Sequence, residues 1–167
     1  MFSDEISSCF DCVEGIKQFN FTFDKEQPEI FIVVDTTDNR IGNAERYFKN
    51  AKKTINIDHH ISNAEGCAMV NYVVPTASSA SELIYNLIDT AYLDRDIAEA
   101  IYMGIAHDTG IFKFASTSPT TMRIVADLME YGFDFPALLD TTYYEKTHLQ
   151  NLALGRILSE SKLHLDG

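Results

Sequence analysis

Ile30-Phe31-Ile32-Val33-Val34 is apolar at every position and runs straight into Asp35. A run without alternation fits a strand buried on both faces of a parallel sheet. A second run, Thr54-Ile55-Asn56-Ile57, leads into Asp58-His59-His60, and Asn43 to Ala51 between the two reads as a crossover helix. Met69 to Val74 supplies a third strand, closed by Pro75. Parallel strands require crossovers of this kind. The order therefore predicts an α/β domain, a mostly parallel sheet flanked by helices on both faces. In such open sheets ligands gather beyond the carboxyl ends of the strands. Asp35 and the Asp58-His59-His60 triplet both stand at such ends.

Helices dominate the later chain. Ser79-Ala80-Ser81-Glu82 has the spacing of a capping box, with Ser79 as N-cap and Glu82 reaching back to it. The helix behind it is expected to bury Leu83, Ile84, Leu87 and Ile88. A second helix, from about Asp96 to Ala106, is lined by Ile97, Ala100, Ile101 and Ile105 and leads into a polar island carrying His107 and Asp108. Ser118-Pro119 provides an N-cap and a first-turn proline. Met122, Val125, Ala126 and Met129 follow at helical spacing and read as a core-facing stripe, with Gly132 to end the helix. Asp134 is placed to cap a short helix from Phe135 to about Thr142, and a longer one runs from Thr147 to about Ser161. Lys162-Leu163-His164-Leu165-Asp166 alternates like the start of a further strand.

Three acids and two adjacent histidines at these segment ends predict a divalent-metal site formed around Asp35, Asp58, His59, His60 and Asp108. Mixed nitrogen and oxygen donors suit Mn²⁺, whereas an all-oxygen set would suit Mg²⁺. Two ions sharing a carboxylate can clamp both oxygens of a displacement at phosphorus and activate the attacking water. The chain holds no Walker-type phosphate loop and no Gly-x-Ser-x-Gly elbow to suggest another chemistry.

The formal charge of −12 argues against a basic groove for long nucleic acid. It is compatible with a small phosphorylated substrate, because bound divalent ions dominate the field of their own pocket. No apolar run approaches the ~20 residues of a membrane span. Met1-Phe2-Ser3-Asp4-Glu5 lacks the positive start of a signal peptide, so no membrane partner and a cytoplasmic location are expected. The chain has 167 residues, which suits one core. Cys9 and Cys12 form a Cys-x-x-Cys, but Cys67 alone does not complete a zinc set, and the three read as ordinary thiols. Asp38 reads as a turn residue, Tyr143 and Tyr144 as packing, His148 and His164 as surface residues.

The three acid-bearing segments resemble the motifs of the DHH phosphoesterases, most closely their NrnA-like branch of oligoribonuclease and pAp phosphatase enzymes, relatives of RecJ. Val33-Val34-Asp35-Thr36-Thr37-Asp38-Asn39-Arg40-Ile41 is similar to the second motif of that family. Ile57-Asp58-His59-His60-Ile61-Ser62-Asn63 is similar to the third. Gly104-Ile105-Ala106-His107-Asp108-Thr109-Gly110-Ile111-Phe112, with Thr117 and Thr120-Thr121 behind it, is similar to the fourth. The resemblance implies that Asp35 bridges two metal ions, Mn²⁺ with Mg²⁺ or Co²⁺ as substitutes, and that His59 and Asp108 ligate one of them. It implies that His60 contacts the scissile phosphate or assists the leaving group, that Asp58 holds an imidazole, and that Arg40 orients Asp35 or touches phosphate. It further implies that residues 1–161 are the catalytic domain without its Asp-rich first motif, and that 162–167 begin the substrate domain. On this reading the site is incomplete as it stands.

The implied activity is hydrolysis of short oligoribonucleotides or 3′-phosphoadenosine 5′-phosphate by metal-activated water. A pyrophosphatase or exopolyphosphatase of the same family is the enzymatic rival. A non-catalytic remnant that binds a nucleotide is the rival from another class. Open sheet edges would favour a homodimer.

Overall fold

The computed structural model describes residues 6–162, and three parallel strands lie at its centre. They are β1 (Ile30–Val34), β2 (Lys53–Asp58) and β3 (Val70–Val73), hydrogen-bonded in the order β1-β2-β3. Val34 pairs with Ile57 and Asp58 with Val73, so β1 and β2 end almost level. The backbone amide of Asp35 adds one further rung, donating to the carbonyl of Ile57 at 2.9 Å. That rung brings the residue after β1 beside the end of β2.

Among the described residues, six α-helices follow the order read from the sequence: α1 (Glu45–Asn50), α2 (Ala80–Leu87), α3 (Arg95–Asp108), α4 (Pro119–Met129), α5 (Phe135–Leu139) and α6 (His148–Glu160). On one face of the sheet Phe31 and Val33 pack with Tyr47 and Phe48 of α1, and Phe23 of the preceding loop joins them. On the other face Ile57 packs against Leu83 of α2 and Ala77. The largest cluster lies beyond α2, where Ile101, Tyr102 and Ile105 of α3 meet Ile124 and Leu128 of α4 and Leu138 of α5. This helical layer holds more of the buried apolar residues than the two clusters against the sheet together, and each Å² of apolar area buried stabilises by ~25 cal/mol.

Several expectations need correcting. β1 is buried on one face only. Ile30, Ile32 and Val34 are exposed: α2 packs on β2, and on that face β1 lines an open groove together with Ile57 and Ile84. Ser79 caps α2 as expected, accepting from the amide of Glu82 at 3.0 Å. The Glu82 carboxylate turns elsewhere, accepting from the hydroxyls of Ser78 at 2.5 Å and Thr121 at 2.7 Å. Leu87 is exposed because α2 ends at that residue.

The inward face of α4 is Thr121, Ile124, Val125 and Leu128, while Met122 and Met129 face outward. Ser118 caps that helix in a full capping box with Thr121. Gly132 adopts a left-handed φ of +73° just beyond its end. Asp134 caps α5, after which the backbone widens into a π-type turn over Asp140–Tyr144. Thr147 caps α6, which buries none of its residues. The tail predicted as a strand lies outside the described residues apart from Lys162, as does His164.

Candidate metal centre

Two strand ends and one helix end bring the predicted acids and histidines together. Asp35 leaves β1 with a left-handed φ of +63°. Aspartate is one of the few residues other than glycine that tolerates this conformation. The turn points its carboxylate across the end of β2 towards His59. Asp108 arrives from the last turn of α3 rather than from a loop after it, because the helix continues through the polar island. His59 Nε2 lies 3.0 Å from Asp108 Oδ2 and 3.4 Å from Asp35 Oδ1. His60 Nδ1 lies 3.8 Å from the same Asp35 oxygen.

The hydrogen bonds assign each imidazole a different role. His59 Nδ1 faces the carbonyl of Ala77 at 3.3 Å, which fixes the hydrogen on Nδ1. Nε2 is then the electron-pair donor, and it is buried with no hydrogen bond of its own. A lone pair directed at two carboxylates is unfavourable unless a cation stands between them. His60 is turned the other way: its Nδ1 donates to Asp58 Oδ1 at 2.7 Å and its Nε2 is left free.

Asp58 is the fully buried anchor of this arrangement. Its Oδ1 also accepts from the amides of His59 at 2.7 Å and His60 at 3.1 Å, and its Oδ2 accepts from Asn63 Nδ2 at 2.6 Å. Asn63 and Asn56 continue the network to the carbonyls of Val33 and Thr36 at the end of β1. Desolvation pushes the Asp58 carboxyl up, but the bonds from His60, Asn63 and the two amides together hold it below the ordinary range. The hydrogen bond to Asp58 correspondingly raises His60. Burial, and then the nearby charge of Asp108, raises Asp35, partly offset by His59 and His60. Two carboxylates that disfavour each other's charge are what a bound cation relieves.

The donor set fits a divalent ion. One potential ligand atom each from Asp35, His59 and His60 lies within 4.8 Å of the others, and Asp108 stands against His59. Nitrogen and carboxylate oxygen together match the preferences of Mn²⁺ and its first-row neighbours.

Arg40 is not brought to this group. It is exposed in the turn after Asp35, makes no ion pair with that residue, and lines the apolar groove beside Ile30 and Ile32. Asp38 opens that turn. Cys9, Cys12 and Cys67 are free thiols, and burial raises Cys12 and Cys67 towards the protonated form. Two functional contributors escaped the sequence reading. The carbonyl of Ala77 carries no signal of its own, whereas Asn56, a polar residue within an apolar strand, does.

Residues 3–105 match the DHH family, N-terminal domain. The chain is 32% identical over 115 residues to the bifunctional oligoribonuclease and PAP phosphatase NrnA of Thermus thermophilus, covering 68% of this chain and 35% of that protein. It is 33% identical over 140 residues to the probable bifunctional oligoribonuclease and PAP phosphatase NrnA of Streptococcus mutans, covering 81% and 45%. The chain thus spans less than half the length of these relatives. Its fold superposes on the crystal structure of an exopolyphosphatase-related protein from Bacteroides fragilis with a TM-score of 0.84, at 22% identity, over 96% of this chain and 51% of that one. Among the described residues no helix is long and apolar enough to cross a membrane.

Proposed function

Since this chain belongs to the DHH family, we propose that it is the metal-binding part of a phosphoester hydrolase acting on short oligoribonucleotides or 3′-phosphoadenosine 5′-phosphate. The observation that carries this reading is His59 Nε2, buried, without a hydrogen bond, and facing the carboxylates of Asp35 and Asp108. Asp35, His59 and Asp108 would hold a divalent ion, with Mn²⁺ suited best to their nitrogen and oxygen donors. A bound ion supplies Lewis acidity and a water acidified to near neutral pH.

The residues of the chain do the positioning. Ala77 holds the His59 ring so that Nε2 faces the carboxylates. Asp58 draws on Nδ1 of His60, which keeps that imidazole charged to a higher pH. A cationic His60 is suited to bind the substrate phosphate and to pass a proton to the leaving oxygen. The twofold naming of the relatives supports both substrates. A cytoplasmic location fits this reading, and the edge of β1, unpaired among the described residues, would support pairing with a second copy.

The test is Mn²⁺-dependent release of mononucleotide from pApA and of phosphate from pAp, measured on the full-length protein that carries this chain. Asp35→Asn is expected to lower both rates by more than about 100-fold and to remove Mn²⁺ binding seen by calorimetry. Faster turnover of pyrophosphate or polyphosphate than of either nucleotide, or intact activity in Asp35→Asn, would overturn the assignment.

A further inference from the structure

A cavity of about 350 Å³ opens beside the metal centre, and Asp35 and Asp108 form only part of its wall. Phe10, Met103 and His107 line another part, with Ser79 and Ser81 at the start of α2. Gly104 of α3 lies in the same wall and packs tightly on α2 there, since a Cβ would come within 2.9 Å of Ser81 Cβ.

The aromatic part of this wall is held rigidly. The ring of Phe10 lies 5.4 Å from that of His107, tilted by 55°, and His107 meets Tyr143 edge-on at 5.3 Å. The hydroxyl of Thr142 donates to the carbonyl of Leu138 at 2.8 Å, so it accepts from His107 Nε2 at 3.0 Å. That bond fixes the tautomer of His107 and holds the ring in place. Phe10 is kept there by the helical turn Ser8–Phe10, which packs on the π-type turn Asp140–Tyr144.

We propose that this cavity seats a nucleobase of the substrate, stacked on Phe10, while the phosphate beside it lies at the metal centre. The proposal rests on the phosphoesterase reading and names the part of the substrate that this chain selects. Among the described residues, no lysine or arginine lines the cavity. A run of phosphates entering it would meet neutral groups and two carboxylates. A base, by contrast, presents a flat π face to an aromatic ring and a thioether, and such contacts are favourable for every base. The wall is already ordered, so little conformational freedom is lost when a base enters.

The experiment is calorimetric titration of the Mn²⁺-loaded, full-length protein with AMP and with ribose 5-phosphate, which share a phosphate and a sugar and differ in the base. AMP is expected to bind about tenfold more tightly, the scale of one base on one aromatic ring. Phe10→Ala is expected to bring AMP down to the affinity of ribose 5-phosphate. Phe10→Leu keeps most of the packing volume without the π face, guards against loss of the fold, and is expected to do the same. Equal binding of the two ligands by the unmodified protein would overturn the proposal and leave the phosphoesterase reading standing. An undiminished AMP advantage in a folded Phe10→Leu protein would overturn it too. If neither ligand binds although Mn²⁺ does, the phosphoesterase reading falls and the base site with it.

Discussion

Both oxygens of Asp58 are occupied by four donors, two of them the backbone amides of the histidines that follow it. Replacing it with asparagine sets an amide hydrogen against one of those donors in a place closed to water. Asp58→Asn is expected to cost on the order of 2–4 kcal/mol in the metal-free protein, measured by urea unfolding. The pH dependence has a definite sign. The folded-state pKa of Asp58 lies below the ordinary carboxylate value of about 3.9, so its contribution is complete above that value. It is lost as the pH falls further, through the folded-state pKa. The unmodified protein should therefore lose stability on this acid limb more steeply than Asp58→Asn. At this scale much of the site was legible. An acid after one apolar run reads as a turn former or cap, but three acids and two adjacent histidines read together as a metal site, and the fold brings Asp35, His59, His60 and Asp108 within reach of one another. The carbonyl that orients His59 was not legible, because every residue carries one.

Between elements, the contact with most consequence is that of α2 with α3. Their backbones approach closely at Gly104, and a methyl group there meets Ser81 Cβ at 2.9 Å and its hydroxyl closer still. Gly104→Ala would gain helix propensity of about 1 kcal/mol, yet overpacking of this kind costs about 1–3 kcal/mol. The expected balance is a lower Tm, partly recovered when Ser81→Gly is added, as a thermal melt of the single and double variants would read. The strands were readable because short apolar runs bounded by polar turns leave little choice. The inward face of α4 was misread for a physical reason. Its buried Thr121 is polar, and it is there because its hydroxyl bonds to Glu82, a long-range pairing that no local period reveals. The same pairing drew Glu82 away from the cap the local spacing assigned to it. The one-sided burial of β1 escaped for a similar reason, since an apolar run reads alike whether its second face is covered or bare.

At the scale of the whole chain, a formal charge of −12 sets the long-range field. An anionic substrate of the proposed kind would be repelled by this chain until it met a bound cation, and added salt would screen that repulsion over about 10 Å at 0.1 M. Raising KCl from about 20 to 150 mM is thus expected to leave kcat/KM for pAp unchanged or to raise it. A protein that grips nucleic acid through lysines and arginines shows the opposite slope. Stopped-time assays across that range would distinguish the two. The β1 face that is bare among the described residues responds to heat rather than salt. Attraction between apolar surfaces weakens on cooling, so the strip of Ile30, Ile32 and Val34 is expected to make self-association of this chain stronger on warming and weaker near freezing, as light scattering would read.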